Sequence, residues 1–161
     1  MKNAILIVGR FQPFHKGHAE IVRKAQGSGN VVVVGIIGRE GDPLNKRSPF
    51  PATFISKTIT DQFSNVKVVF LSSGNLVAAQ EAIITNHGLI INKVMCGPDR
   101  FDSYNQQSKN YDLNIEVIRI SEIYNIRGTQ VRQAIIDNDE REFKRMMGDQ
   151  AQMSRYKSFI K

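Results

Sequence analysis

His15 and His18 stand three apart with Gly17 between them, a spacing that suits anion chemistry. An imidazole donates an N–H bond to a phosphate oxygen, more strongly when protonated. Gly17 lets a phosphate approach the backbone, and the first free N–H groups of a helix starting here would point at it. A second group of such residues lies far along the chain, in Ile126-Arg127-Gly128-Thr129-Gln130-Val131-Arg132. There, backbone N–H groups and the Thr129 hydroxyl can cradle phosphate oxygens, and the Arg132 guanidinium can clamp them in bidentate fashion. Together the two groups suit a polyphosphate. Taken singly, each has a plainer reading: histidines satisfying loop carbonyls, and an ordinary N-capped amphipathic helix.

The flanking residues supply the elements that must position this chemistry. Ala4-Ile5-Leu6-Ile7-Val8 has the length and composition of a buried strand, and residues 19–25 carry apolar side chains at helical spacing. The histidines therefore fall in a strand-to-helix loop at the carboxyl end of a strand, where open α/β sheets bind ligands. Further strands are predicted over 31–37, 66–71, 90–97 and 114–120. Helices are predicted over about 52–63, with Ile55, Ile59 and Phe63 on one face, and over 76–87, with Gly88 as C-terminal glycine. His87 reads as a helix-end residue and Cys96 as a small core residue. The alternation predicts an α/β fold: one Rossmann-like domain over residues 1–149 with a five-stranded parallel sheet and right-handed crossovers. Residues 38–51 form a long polar loop, of a length that is usually functional or mobile. Residues 150–161 are a polar, basic tail, read as a short helix with Tyr156 and Phe159 as docking residues.

Composition narrows the classes. At 161 residues, 41% hydrophobic and 23% charged, the chain suits a single globular domain with a proper core. No apolar run reaches the length of a membrane span, and the apolar residues before Gly9 are too few for a secretory leader. A single cysteine excludes an internal disulfide and fits a reducing cytoplasm, the expected location. The net charge of +7 is uneven: basic residues exceed acidic ones nine to three in residues 1–60 and nine to six in 119–161, but trail four to six between. Both phosphate-handling groups lie in the basic ends, as a nucleoside triphosphate site requires. Nucleic acid would also want positive charge. There is no basic stripe interleaved with aromatics, no zinc-ligand spacing and no RNA-recognition signature, so it is the weaker expectation.

The stretch Gly9-Arg10-Phe11-Gln12-Pro13-Phe14-His15-Lys16-Gly17-His18 resembles the H-x-G-H signature of the nucleotidyltransferase superfamily. It is closest to the GRFQPFHxGH form of nicotinamide mononucleotide adenylyltransferases. Residues 126–132 resemble the superfamily's I-S-x-T-x-x-R element, with Arg127 where the serine usually stands. Gly97-Pro98-Asp99-Arg100 resembles a G-x-D element placed near ribose and base, although a plain Pro-Asp turn reads equally well. Arg47-Ser48-Pro49-Phe50 partly resembles an N-P-F segment of archaeal-type enzymes, but the residues after it depart from that pattern. Residues 127–147 are also similar to small bacteriophage nucleotidyltransferases.

The resemblance implies transfer of AMP from ATP to a phosphorylated acceptor, nicotinamide mononucleotide first, with pyrophosphate released and Mg²⁺ carried on the triphosphate. In that scheme His15, His18 and Arg132 are catalytic. Gly9, Arg10, Phe11, Gln12, Phe14, Gly17, Gly97, Asp99, Arg100, Arg127, Gly128 and Thr129 bind the nucleotide. Lys16, Lys46 and Arg47 are candidates for the acceptor's phosphate, and no protein metal ligand is assigned. The resemblance also allows a homo-oligomer. The alternatives are a cytidylyltransferase, a phosphopantetheine adenylyltransferase-like enzyme, or a nucleotide- or nucleic-acid-binding module without turnover.

Overall fold

The structure is a computed structural model and describes residues 1–120 and 125–160. In chain order the elements are β1 (Lys2–Gly9), α1 (Lys16–Gly27), β2 (Val31–Ile37), α2 (Ala52–Gln62), β3 (Lys67–Leu71) and α3 (Leu76–His87). They continue with β4 (Leu89–Cys96), α4 (Pro98–Asn110), β5 (Glu116–Arg119), α5 (Gly128–Ile136), α6 (Glu140–Met147) and α7 (Met153–Lys157). The strands form one parallel sheet in the order β3-β2-β1-β4-β5, an α/β Rossmann-like fold.

Alternation along the central strands decides which helices cover which face. Ile5 and Ile7 of β1, with Val32, Val34 and Ile36 of β2, turn toward α1, α2, α5, α6 and α7. Ala4, Leu6 and Val8 of β1, with Val33, turn to the other face against α3 and α4, where Leu76, Ala79, Ile83 and Tyr104 are buried. Both faces of β1 and β2 are covered, so these strands read as continuous apolar runs. Gly88 closes α3 at φ +63, a left-handed conformation suited to glycine.

Two helices go beyond the sequence expectation. Pro98-Asp99 opens α4 instead of a turn, with Pro98 in the first helical turn where its missing N–H costs nothing. α6 follows a break at Asn138 (φ +57), is capped by Asp139 accepting from the Glu142 N–H at 3.2 Å, and buries Phe143, Met146 and Met147. Residues 150–160 pack on the molecule, with Met153 and Tyr156 buried in the first of the two clusters.

Gly35, in the middle of β2, has no room for a side chain: a Cβ there would lie 2.7 Å from Leu71 Cδ1 and 3.2 Å from Leu6 Cδ1. Gly35→Ala is expected to destabilise the fold by about 1–3 kcal/mol through overpacking, read from the midpoint of urea unfolding. An unshifted midpoint would show that the two leucines repack without cost.

Candidate functional site

β1 ends at Gly9, and the chain then turns sharply. Phe11 adopts φ +54, uncommon for a bulky residue, and folds its ring back so that a Cβ on Gly9 would lie 2.9 Å from it. The Phe11 ring meets His18 edge-on, with centroids 4.9 Å apart, and Phe14 stacks on the same imidazole at 5.6 Å. His15 and His18 stack at 3.7 Å. His18 is thus gripped on several sides by rings.

The hydrogen bonds determine what each histidine can offer. His15 Nδ1 accepts the Gly17 N–H at 3.1 Å, and His18 Nδ1 accepts the His15 N–H at 3.2 Å. A neutral imidazole that accepts at Nδ1 carries its proton on Nε2, so each ring keeps an Nε2–H donor for a ligand. Burial pulls the His15 pKa down to about 4. Burial, and then the charge His15 would carry, holds His18 well below the usual histidine value. One sequence expectation is corrected here. The Gly17 N–H is not free for phosphate, because His15 already takes it.

The second group is built at the start of α5. The Arg127 N–H donates to Gln130 Oε1 at 3.0 Å, and the Arg127 side chain, a donor only, makes no cap bond to the first turn. Arg132, one turn on, donates through Nη1 to the Gln12 carbonyl at 2.7 Å and through Nη2 to Thr129 Oγ1 at 3.4 Å. That contact ties the two groups together across the chain. It also explains Gly128: a Cβ there would lie 2.8 Å from the Gln12 carbonyl oxygen and 3.0 Å from Arg132 Nη1. Burial, followed by the positive charge of Arg47, holds the Arg132 pKa below its ordinary value.

A cavity of about 950 Å³ opens between these parts. Ile7 and Val8 of β1 and Met95 and Cys96 of β4 form its floor, at the carboxyl ends of the two strands between which the strand order reverses. The starts of α1, α4 and α5 bring Gly17, Gly97, Pro98, Gly128 and Thr129 to its wall, with Ile21, Ile120 and Ile126 as apolar surface. His15, His18, Phe11 and Gln12 also line it, together with four arginines: Arg10, Arg47, Arg127 and Arg132. No carboxylate lines the cavity among the described residues. Burial pushes the Cys96 thiol up to about 11, consistent with a core residue.

Some expected residues stand elsewhere. Phe14 is buried behind His18, and Gly9 lies beneath the Phe11 ring. Lys16 is exposed in the first turn of α1, and Lys46 is exposed on the 38–51 loop outside the lining. Arg100 is not in the cavity. Residue 100 belongs to a helix rather than a turn, and its Nη1 reaches the Tyr104 hydroxyl one turn on at 3.5 Å, packing on Gly74. The Asp99 side chain lies outside the described residues. Gln12 reaches the cavity, but its carboxamide is engaged with Phe50: Nε2 donates to the Phe50 carbonyl and Oε1 accepts the Phe50 N–H, both at 2.9 Å. Sequence reasoning missed that pairing. It also missed the turn displaying Arg47, where Asn45 Oδ1 accepts the N–H groups of Arg47 and Ser48 at 2.9 and 3.0 Å. Asn-x-x-Ser was the available signal for that turn.

A parallel α/β sheet with helix starts and arginines around its reversal crevice is the class of fold and site that takes an anionic ligand. Residues 6–134 match the profile of the cytidylyltransferase-like family, and the chain belongs to that family. It is 44% identical over 45 residues to a nicotinamide-nucleotide adenylyltransferase of Halobacterium salinarum, a match over 28% of this chain and 25% of that one. The matched stretches thus span about a third or less of the curated relatives. A bifunctional NMN adenylyltransferase/ADP ribose pyrophosphatase from Francisella tularensis, solved with AMP and a manganese ion, has a similar fold. The TM-score is 0.72 at 17% identity, over 98% of this chain and 50% of that one. A nicotinic acid mononucleotide adenylyltransferase from Plasmodium falciparum gives a TM-score of 0.60 at 14% identity, over 92% of each chain.

The histidine pair makes the unliganded fold sensitive to acid. The unfolded chain takes up protons at its histidines as the pH falls through about 6.5. The folded chain resists uptake at His15 until about 4, and at His18 also below the ordinary value. Stability from this source is complete above about 6.5 and is lost as the pH falls toward 4. The melting temperature should therefore drop between pH 7 and pH 5. The His15→Gln/His18→Gln double variant should show a flatter profile, and identical profiles would place the linkage elsewhere.

Proposed function

We propose that the protein is a nucleotidyltransferase that moves AMP from ATP to the phosphate of a small acceptor, nicotinamide mononucleotide first among them. The observation that carries this reading is the meeting of both phosphate-handling groups at one cavity, joined by the Arg132 bond to the Gln12 carbonyl. The resemblance of the whole stretch from Gly9 to His18 to the GRFQPFHxGH form, and the partial likeness to a nicotinamide-nucleotide adenylyltransferase, support the choice of acceptor.

In this reaction an acceptor phosphate oxygen attacks the α-phosphorus of ATP. The bond from that phosphorus to the α,β-bridging oxygen breaks, and pyrophosphate leaves with the electron pair. The nucleophile is already anionic, so no protein base is needed, and catalysis reduces to alignment and stabilisation of charge. The Nε2–H groups of His15 and His18 are assigned to the α- and β-phosphates. The start of α5, Thr129 and Arg132 are assigned to the β and γ oxygens, while Arg47 and Arg127 face the acceptor's phosphate. Mg²⁺ belongs to the proposal as a companion of the triphosphate. The described lining has no carboxylate fitted to hold it.

The test is pyrophosphate release from ATP or CTP with Mg²⁺ and a panel of phosphorylated acceptors. Release that depends on nicotinamide mononucleotide and forms the dinucleotide is the expected result. Absence of release with every acceptor would reduce the protein to a binding module. His18→Ala should lower kcat by about 10²–10³ while ATP affinity stays largely intact, because the donor acts on charge developing in the transition state. Unchanged turnover would leave His18 a structural residue. Arg127→Ser, which restores the residue usual in the resembling motif, should raise KM for the acceptor. Kinetics identical to the parent across the panel would make Arg127 surface variation.

A further inference from the structure

The family match ends at residue 134, yet the segment beyond it reaches back to the loop that carries Arg47. Phe50, fully buried, is the meeting point. Its ring packs edge-on against Tyr156 at 5.6 Å and Phe159 at 6.1 Å. Phe54 adds contacts to the same two rings at 5.1 and 4.8 Å. Lys157 Nζ donates to Asn138 Oδ1 at 2.9 Å and ties the segment to the turn between α5 and α6.

The backbone of Phe50 is held from the other side. Both of its polar groups are taken by the Gln12 carboxamide, and the Gln12 carbonyl accepts from Arg132. Arg47 is a short, stiff distance upstream. Its N–H and that of Ser48 are fixed by Asn45 Oδ1, Asn45 and Ser48 pair through their backbones at 3.2 and 3.3 Å, and buried Pro49 joins this turn to Phe50. The Arg47 side chain is exposed yet lines the cavity. Its placement therefore depends on where Phe50 sits.

We propose that Tyr156 and Phe159, through Phe50 and Gln12, are positioning residues that hold Arg47 at the cavity for an anionic substrate group. The idea rests on the phosphate-binding reading of the cavity. It gives the C-terminal segment a role in substrate affinity rather than in chemistry.

The test uses the full chain with ATP and nicotinamide mononucleotide, together with amide exchange at Phe50, whose N–H is bonded to Gln12. Phe159→Ala should raise KM for the mononucleotide about tenfold, the scale of one charge-assisted contact, with kcat changed less than about twofold. Phe159→Leu, which keeps most of the bulk, should restore KM. The Phe50 amide should exchange faster in Phe159→Ala, with the central strands still protected. In an Arg47→Gln background, Phe159→Ala should add nothing further to KM, since both changes remove the same contact. Additive effects, an unchanged Phe50 exchange rate, or a fall in kcat at constant KM would overturn the proposal. Failure of the wild-type chain to turn over any acceptor would sink the adenylyl-transfer reading separately. Inorganic pyrophosphate affinity then replaces KM: Phe159→Ala and Arg47→Gln should weaken it non-additively, and additive or absent effects overturn the positioning role.

Discussion

The bond from Arg132 to the Gln12 carbonyl is the constraint on which the rest of the site depends. It joins residues 120 apart in the chain, and it fixes the start of α5 against the loop that carries the histidines. A charge-assisted, partly buried bond of this kind contributes about 1.5–3 kcal/mol, enough to hold a loop in one arrangement. Its geometry brings the α5 backbone close to the Gln12 carbonyl, and Gly128 is the residue that leaves room. The same guanidinium still has N–H groups beyond those given to Gln12 and Thr129, so Arg132 can hold the site together and bind an anion at once.

Electrostatics gives this arrangement its direction. The ion pairs seen among the described residues, Glu20–Arg23, Lys57–Asp61 and Glu142–Arg145, all join neighbours on exposed helix surfaces. They do nothing for the cavity. There, four arginines share one lining without a carboxylate among its described residues, and the charge of Arg47 bears on Arg132. Like charges gathered in a partly desolvated crevice oppose folding, and an arriving polyphosphate relieves that repulsion. Affinity for an anion is thus the counterpart of a built-in instability, as is common at functional sites.

How much of this was legible in the sequence follows from where local signals were strong. The apolar strands and the two candidate phosphate groups carried clear periodicity or spacing; the strands form as expected, and both groups line one cavity. α4 was not legible. Residues 98–110 are polar on most sides, so no helical stripe shows, and Pro98-Asp99 mimics a turn. The expectation for Arg100 came from the resemblance of residues 97–100 to a G-x-D element, and the helix turns its side chain toward Tyr104 and Gly74. Gln12 was assigned to the nucleotide because it sits inside a recognisable stretch. Its carboxamide in fact matches the paired N–H and C=O of Phe50, a partner 38 residues away that no local pattern announces. Gly17 shows the same limit at short range, since its N–H is taken by the histidine two residues before it.

The neutral state of the histidines fits a division of labour with the arginines. The charge of the arginines draws a phosphate in from a distance, and their long stems leave the position of each donor fork adjustable. An imidazole fixed through Nδ1 has a single remaining donor with a set orientation. The rings of Phe11 and Phe14 remove the freedom that would blur the direction of His18. Keeping His15 and His18 neutral also avoids two more positive charges in a cavity that already holds four arginines, which the 3.7 Å stacking of the rings would make severe. On the proposed reading, the arginines supply charge and the histidines supply alignment. In the proposed reaction, whose nucleophile arrives already ionised, alignment is the part that remains for the protein to provide.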